Sequence, residues 1–325
     1  MTTIIPPGWR RGAAILTVCA ASLAQPRAQT ATERSAPSSS LEVLEVRPSL
    51  FVIAGAGANI GVQVGEDGVV VVDAGSGARS PDVLAAIKRI SPNPIRYVID
   101  TGPDADHVGG NEAIASAGEK LFAGGLPGGG QPNAATAAER VAPIVAAEGA
   151  LRHLAKSPAS LWPTEVFHYA RKAMYLNGEA IEMLHQPAAH TDSDVFAFFR
   201  RSDVVMAGDV IDTRQFPVID VDRGGSIQGE IAALNRLVDL AVPSTPVVTR
   251  EAGTIVVPGH GRLCDQYDVA DYRDMVTIVR DRVRDLKKAG RSLADVKTDQ
   301  PAKGYVGRYG NPDRFVEAIY RSLPK

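Results

Sequence analysis

Residues 102–111 of the chain read GPDADHVGGN and place two carboxylates, one imidazole and three glycines within ten positions. The apolar run Ile95 to Ile99 comes shortly before this segment and predicts a strand. Carboxylate oxygens and imidazole nitrogens are donors that divalent metals take in proteins. Glycine-rich turns at strand ends let such donors approach one another from distant parts of the chain. The segment is therefore predicted to contribute to a metal site.

Three further motifs with the same chemistry lie farther along the chain. His190 stands in HTDSD, Asp209 follows a glycine after a predicted strand ending at Met206, and His260 stands in PGHG. Each motif alone is typical of an ordinary loop. Four of them, in order and each following a predicted strand, indicate a shared metal centre, because metals need several donors that converge on one point.

These motifs resemble those of the metallo-β-lactamase superfamily. The family's first motif, His-x-His-x-Asp-His, corresponds to residues 102–107, and its early aspartate corresponds to Asp73. The resemblance extends from about Leu41 to Arg262. It implies an αββα sandwich of two mixed β-sheets flanked by helices, with Asp73 supporting the metal loop rather than binding metal.

The resemblance implies a set of six metal ligands, which are Asp104, Asp106, His107, His190, Asp209 and His260. One metal position would use Asp106, His107 and His260, the other would use Asp104 and His190, and Asp209 would bridge them. Gly102 replaces the family's first histidine and Asp104 replaces its second, so the latter position is one donor short. The expected cofactor is one or two divalent ions. Zinc suits the intact half, and the carboxylate-rich half makes iron or manganese an alternative.

The chemistry expected of such a site is hydrolysis. A metal makes water ionise near neutral pH, and Asp106 is the carboxylate expected to orient that water and pass a proton to the leaving group. The resemblance implies cleavage of an ester, thioester, lactone or amide bond in a small molecule. An aspartate at Asp209 points away from true β-lactamases, which tend to carry Cys or Ser at that position.

Two other readings are open from the sequence. A degenerate family member could bind metal or ligand as a periplasmic accessory protein without turnover, as the replacements at Gly102 and Asp104 suggest. A carboxylate-rich site could instead hold a di-iron centre that handles oxygen. His185, Arg214 and Arg223 are candidate substrate contacts, although a solvated loop charge is the plainer reading of either arginine.

The composition is that of a soluble globular protein without a nucleic-acid footprint. The formal net charge is −2, and 22% of the residues are charged without forming blocks of one sign. A small-molecule partner is therefore expected, with no nucleic acid and no integral membrane span in the mature chain.

The N-terminus has the pattern of a secretory signal. Arg10 and Arg11 precede a charge-free apolar run, Gly12 to Leu23, and small residues follow. Residues 1–28 are predicted to be a signal peptide, 29–40 a flexible linker, and 41–325 a metallo-β-lactamase-like domain with a C-terminal helical extension. The expected location is periplasmic or secreted. Cys264 would then be the single cysteine left after cleavage.

The secondary-structure pattern along the domain mixes strands and helices. Short apolar runs between residues 50 and 72 predict a β-meander, and Ser80-Pro81 predicts the start of a helix that reaches Ile90. A second helix is predicted over Ala134 to Ala155. The longest helix is predicted from about Val269 to Ala289, with Gly290 at its end.

Overall fold

The computed structural model describes residues 40–121, 141–244 and 253–324. The first of its two sheets has seven strands, in the order in which they occur along the chain. They are β1 (Glu42–Arg47), β2 (Leu50–Ala54), β3 (Ile60–Gly65), β4 (Gly68–Val72), β5 (Ile95–Ile99), β6 (Ile144–Ala147) and β7 (Glu165–Phe167). Strands β1 to β4 are antiparallel, and β4 to β7 are parallel. The sheet is therefore mixed.

The second sheet has five strands in the order β12-β11-β10-β9-β8. They are β8 (Arg171–Leu176), β9 (Glu179–Gln186), β10 (Asp194–Phe199), β11 (Val204–Asp212) and β12 (Ile255–His260). Only β11 and β12 run parallel, and the other pairs are antiparallel. This second sheet is mixed as well.

Nine α-helices lie in the described ranges. They are α1 (Ser80–Ile90), α2 (Ala105–Val108), α3 (Asn111–Ser116), α4 (Glu148–His153), α5 (Ile227–Leu240), α6 (Gln266–Lys288), α7 (Leu293–Thr298), α8 (Val306–Tyr309) and α9 (Asp313–Ser322). None of the described helices is long and apolar enough to cross a bilayer.

The alternation of side chains along β4 shows how the layers are built. Val70 and Val72 pack between the two sheets, whereas Val69 and Val71 pack against α1 and α3. Because both faces of the strand are covered, all its residues are buried, as β-branched runs in such sheets usually are. On the far side, the second sheet packs against α5, α6 and α9. The result is the αββα sandwich that the family resemblance implies.

Several local predictions are confirmed. The meander, α1 and the strand Ile95–Ile99 lie where the pattern placed them, and α6 ends before Gly290, whose φ of +78° suits a residue without a side chain.

One helix prediction is wrong. Within the predicted helix Ala134 to Ala155, residues 144–147 form the buried strand β6, which pairs with β5 and β7, and only α4 follows as a helix. Pairing with two neighbouring strands outweighs the helical propensity of this alanine-rich run. Its part up to residue 140, the signal peptide and nearly all of the linker lie outside the described residues.

Candidate metal centre

The six predicted ligands converge at one end of the two sheets. Asp104, Asp106 and His107 follow β5, with the latter two on the short helix α2. The other three come from the second sheet: His190 lies between β9 and β10, Asp209 lies within β11, and His260 ends β12. Strand β11 runs past the predicted end at Met206, and its register with β12 shifts between Met206 and Gly208.

The first group of donors consists of Asp106, His107 and His260, whose ligand atoms lie within 4.8 Å of one another. His260 Nε2 is 3.1 Å from Asp106 Oδ2. Asp209 adjoins this group, since its Oδ1 is 3.2 Å from His107 Nε2 and 3.4 Å from His260 Nε2. The arrangement offers one ion two imidazoles and two carboxylates.

The second group consists of Asp104, His190 and Asp209, again with ligand atoms within 4.8 Å of one another. His190 Nε2 is 2.6 Å from Asp104 Oδ2 and 3.9 Å from Asp209 Oδ2. Asp209 therefore presents one oxygen to each group. The structure brings together all six side chains that the sequence singled out, in the two sets that the resemblance implied.

The orientation of His107 is fixed from behind by Asp73. The Nδ1 atom of His107 lies 3.0 Å from Asp73 Oδ2, and Asp73 also accepts hydrogen bonds from the backbone N–H and the hydroxyl of Thr101. Such a carboxylate holds Nδ1 protonated and leaves Nε2 to face the site. Asp73 follows β4 with a positive φ of 62°, which points to a backbone shaped for this contact.

His190 is oriented in a comparable way by the backbone. Its Nδ1 donates to the carbonyl of Val218 at 2.6 Å, so that Nε2 faces Asp104. The turn after His190 is closed by Asp194, which accepts from the backbone N–H and the hydroxyl of Thr191. The orientation of the His190 imidazole is thus fixed by the fold and does not need a bound ion.

Strand β12 reaches Asp209 because residue 259 is a glycine. A Cβ atom at Gly259 would lie 2.6 Å from Asp209 Oδ1 and 2.8 Å from the backbone of Gly208. Any other residue would force the two strands apart at this point. The PGHG motif therefore serves the close approach of β12, in addition to supplying His260.

The charges of the cluster compensate one another without metal. Burial alone would raise the pKa of Asp209, but nearby His107, His190 and His260 lower it far below its usual range. Burial likewise opposes ionisation of Asp104, whose pKa falls to about 2 because His190 and Arg223 donate to it. A divalent ion would replace protons on the imidazoles, as metals generally do when they bind histidine.

The residues present fit a divalent metal ion. His107 Nε2 and Asp209 Oδ1 are buried at the meeting point of the first group, and neither has a partner in hydrogen-bond geometry within the described ranges. Buried polar atoms of folded proteins are normally satisfied. An imidazole nitrogen and a carboxylate oxygen that lie 3.2 Å apart without an aligned hydrogen bond are what an ion of the Zn²⁺ class would bind.

The replacement at Gly102 leaves open space. A Cβ atom there would have one neighbour within 4 Å among the described residues, Asp194 Oδ1 at 3.8 Å. No other described residue supplies a donor to the Asp104 group. That group is therefore one ligand short in the structure, as the motif suggests.

The three candidate substrate contacts are placed differently from one another. His185 donates from Nε2 to the carbonyl of Asp192, and Arg214 forms a two-pronged ion pair with Asp212, so neither contacts a predicted ligand. Arg223 does reach the cluster, where its Nη1 lies 2.6 Å from Asp104 Oδ1. Binding of substrate by any of the three stays a prediction.

Two buried carboxyls beside the centre were missed from the sequence. Asp194 is fully buried, and burial raises its pKa to about 6. The spacing Thr191-x-x-Asp194, typical of a side chain that closes a local turn, is the signal that could have found it. Glu230 on α5 is fully buried with neither carboxylate oxygen hydrogen-bonded to a described residue, and burial raises its pKa strongly. No sequence signal marks it, because α5 is otherwise an ordinary amphipathic helix.

Comparison with known proteins identifies the family. The family model described as "Metallo-beta-lactamase superfamily" matches residues 54–260. No protein with a curated description matches the chain.

Solved structures share the fold at low sequence identity. A metallo-β-lactamase from Pontibacter korlensis has a TM-score of 0.55 and 17% identity, and the match covers 73% of this chain and 99% of that one. The sec-alkylsulfatase Pisa1 from Pseudomonas sp. has a TM-score of 0.62 and 15% identity over 86% of this chain, which spans half the length of the sulfatase. A double mutant of that sulfatase gives a TM-score of 0.64 at 14% identity, with the same coverage.

Proposed function

The chain belongs to the metallo-β-lactamase superfamily, and we propose that it is a metal-dependent hydrolase that cleaves an ester, thioester, lactone or amide bond of a small molecule. The observation that supports this proposal most is the convergence of two donor groups at one end of the two sheets. A purely structural site would not need six side chains of metal-binding type around two buried ligand atoms that lack an aligned hydrogen bond in the described structure.

The ligands proposed for a first ion are Asp106, His107, His260 and Asp209. This set resembles the mixed imidazole and carboxylate sites that zinc prefers, so zinc is the proposed metal, with iron or manganese as alternatives. A divalent ion, when bound, supplies the Lewis acidity that makes water ionise near neutral pH.

Asp106 is the proposed proton-handling group. Without an ion, the hydrogen bond from His260 lowers its pKa, so the carboxylate is ionised at neutral pH. With an ion bound, His260 Nε2 would be a ligand, and the ionised carboxylate would be free to accept a proton from water. His260 contacts this carboxylate and packs edge-on against His107, while Asp73 fixes the orientation of His107. Asp106 would then deliver the proton to the leaving group as the bond breaks.

The accessory-protein reading is not favoured. Random decay of a former enzyme would not be expected to leave the donor set of Asp106, His107 and His260 intact together with the supporting contacts of His107 and His190.

The test of this proposal is a panel of small-molecule hydrolysis assays. Carboxylic esters, thioesters, lactones and β-lactams would be offered to chelator-treated protein and to the same protein reloaded with Zn²⁺, Mn²⁺ or Fe²⁺. We expect turnover of at least one class that disappears with the chelator and returns with the metal. Metal-independent turnover, or none with any class, would contradict the proposal.

We also propose that the protein works outside the cytoplasm. The support is the charge-free run Gly12 to Leu23 behind Arg10 and Arg11. The mature chain is expected to begin between about Gln25 and Ala31. Intact-mass measurement on material from the periplasm or medium checks this, and a full-length product confined to the cytoplasm would contradict it.

A further inference from the structure

Arg223 occupies an unusual position for a loop arginine. Its Nη1 lies 2.6 Å from Asp104 Oδ1, and its Nε lies 2.7 Å from Asp220 Oδ2. The other oxygen of Asp104 faces His190 Nε2, also at 2.6 Å. Both oxygens of Asp104 are therefore engaged, one by an imidazole and one by a guanidinium.

The backbone holds Arg223 firmly against the turn that carries His190. The N–H of Asp220 donates to the carbonyl of His190 at 2.8 Å, and the N–H of Asp192 donates to the carbonyl of Arg223 at 3.0 Å. The side chain of Asp220 also accepts from the backbone N–H of Arg223. Because the two loops are joined on both sides of the arginine, its guanidinium is positioned by the fold and is not a freely moving surface charge.

The group that Arg223 contacts is the one that lacks a ligand. Gly102 gives it no donor, and the guanidinium places a permanent positive charge beside its only unshared carboxylate. A guanidinium cannot lose its proton under physiological conditions, so it repels a dication at close range whatever the pH. It also uses one oxygen of Asp104 that a metal would otherwise share.

We propose that Arg223 is a built-in cation that takes the place of the second metal ion beside Asp104. The protein would then hold one divalent ion tightly, at the position formed by Asp106, His107, His260 and Asp209. This inference rests on the proposed metal centre. It adds that occupancy of the second position is set by an arginine of this chain and not only by the missing imidazole.

Arg96 provides a matched control. It lies near the start of β5, at the opposite end of the strand from the ligands that follow it, and it is likewise paired with a carboxylate, Glu119, at 3.1 Å. It contacts none of the six predicted ligands in the described structure. Removing its charge should leave the binding of metal at both positions almost unchanged.

The test is titration of metal-free protein with Zn²⁺ by calorimetry, together with metal analysis after dialysis. Wild type, Arg223→Gln and Arg96→Gln would be compared after circular dichroism confirms that each is folded. We expect one tightly held ion in wild type and in Arg96→Gln. In Arg223→Gln a second ion should bind at least about tenfold more tightly than in wild type, because a close charge repulsion has been removed.

The outcomes separate this inference from the proposed function. Two tightly held ions in wild type would overturn the inference without any variant. One tight ion in wild type with no gain in Arg223→Gln would also overturn it, while leaving the metal centre in place. A wild-type protein that binds no Zn²⁺ would remove both proposals.

Discussion

The Nε2 atom of His260 lies 3.1 Å from Oδ2 of Asp106, and 41% of the Asp106 side chain is nevertheless exposed. Asp104 and Asp209 are less open, with 24% and 18% of their side chains exposed. Asp106 is therefore the one carboxylate of the cluster that is both held by an imidazole and broadly accessible to water and substrate. This difference in exposure indicates that the three carboxylates have different roles.

The first prediction compares Asp106→Ala with Asp104→Ala. Loss of Asp106 should lower kcat/KM by at least about 100-fold, because a ligand and a proton-transfer group are removed together. Asp104→Ala should lower it by less than about tenfold if one ion suffices. The assay is hydrolysis of any accepted ester or lactone, with exposed Asp285→Ala as control. Equal damage from both variants would mean that Asp104 is a full ligand of a working two-metal site.

A second prediction concerns the missing imidazole. Gly102→His should strengthen binding of the second Zn²⁺ by at least about tenfold, which corresponds to about 1.4 kcal/mol. The open space around a Cβ at this position allows the side chain to enter. Gly102→Ala is the control, since it adds the Cβ without a donor. If alanine and histidine have the same effect on the second ion, the site does not lack a ligand at position 102.

The third prediction uses the buried carboxyl of Glu230, which has no hydrogen-bond partner among the described residues. Burial raises its pKa in the folded protein, so the folded state keeps a proton that the unfolded state releases above its ordinary pKa of about 4.5. The free energy of unfolding therefore falls with rising pH above that value, by at most about 1.4 kcal/mol per pH unit, until the folded pKa is reached. Glu230→Met removes this pH-dependent loss of unfolding free energy.

The measurement is denaturant unfolding at pH 5 and pH 8 with the metal state held constant. Glu230→Met should be more stable than wild type, by at least about 1 kcal/mol at pH 8 and by less at pH 5. Glu66→Met, at an exposed turn, controls for the change of side-chain type. A gain that does not grow with pH would show that Glu230 has a compensating partner in the folded protein.

The ligands could be predicted from sequence because each stands in a short motif with its own local signal. His260 lies between two glycines, and Gly109 and Gly110 follow shortly after His107, so glycine-rich segments mark both histidines without knowledge of the fold. The order of the motifs in the family then assigns the ligands to the two metal positions. The layers of the fold were implied by the family resemblance, whereas the pattern itself predicts local features such as strand β4 and the buried face of α6.

The contacts that tune the site could not be predicted in this way. Arg223 meets Asp104 across 119 positions of sequence only because the turns after β9 and β11 are hydrogen-bonded together. Glu230 becomes buried only when α5 packs on the second sheet. Strand β6 was predicted as helix for the same reason. Its pairing with β5 and β7 is a tertiary interaction, and the local sequence of an alanine-rich run does not indicate it.

The most direct test of the metal centre is a crystal structure of protein reloaded with Zn²⁺, with anomalous data collected on both sides of the zinc absorption edge. We expect one strong peak about 2.0–2.2 Å from Nε2 of His107 and Nε2 of His260, bounded by Asp106 and Asp209. The position beside Asp104 should be weak or empty while Arg223 keeps its contact. A zinc peak elsewhere, or none between the two imidazoles, would contradict the account.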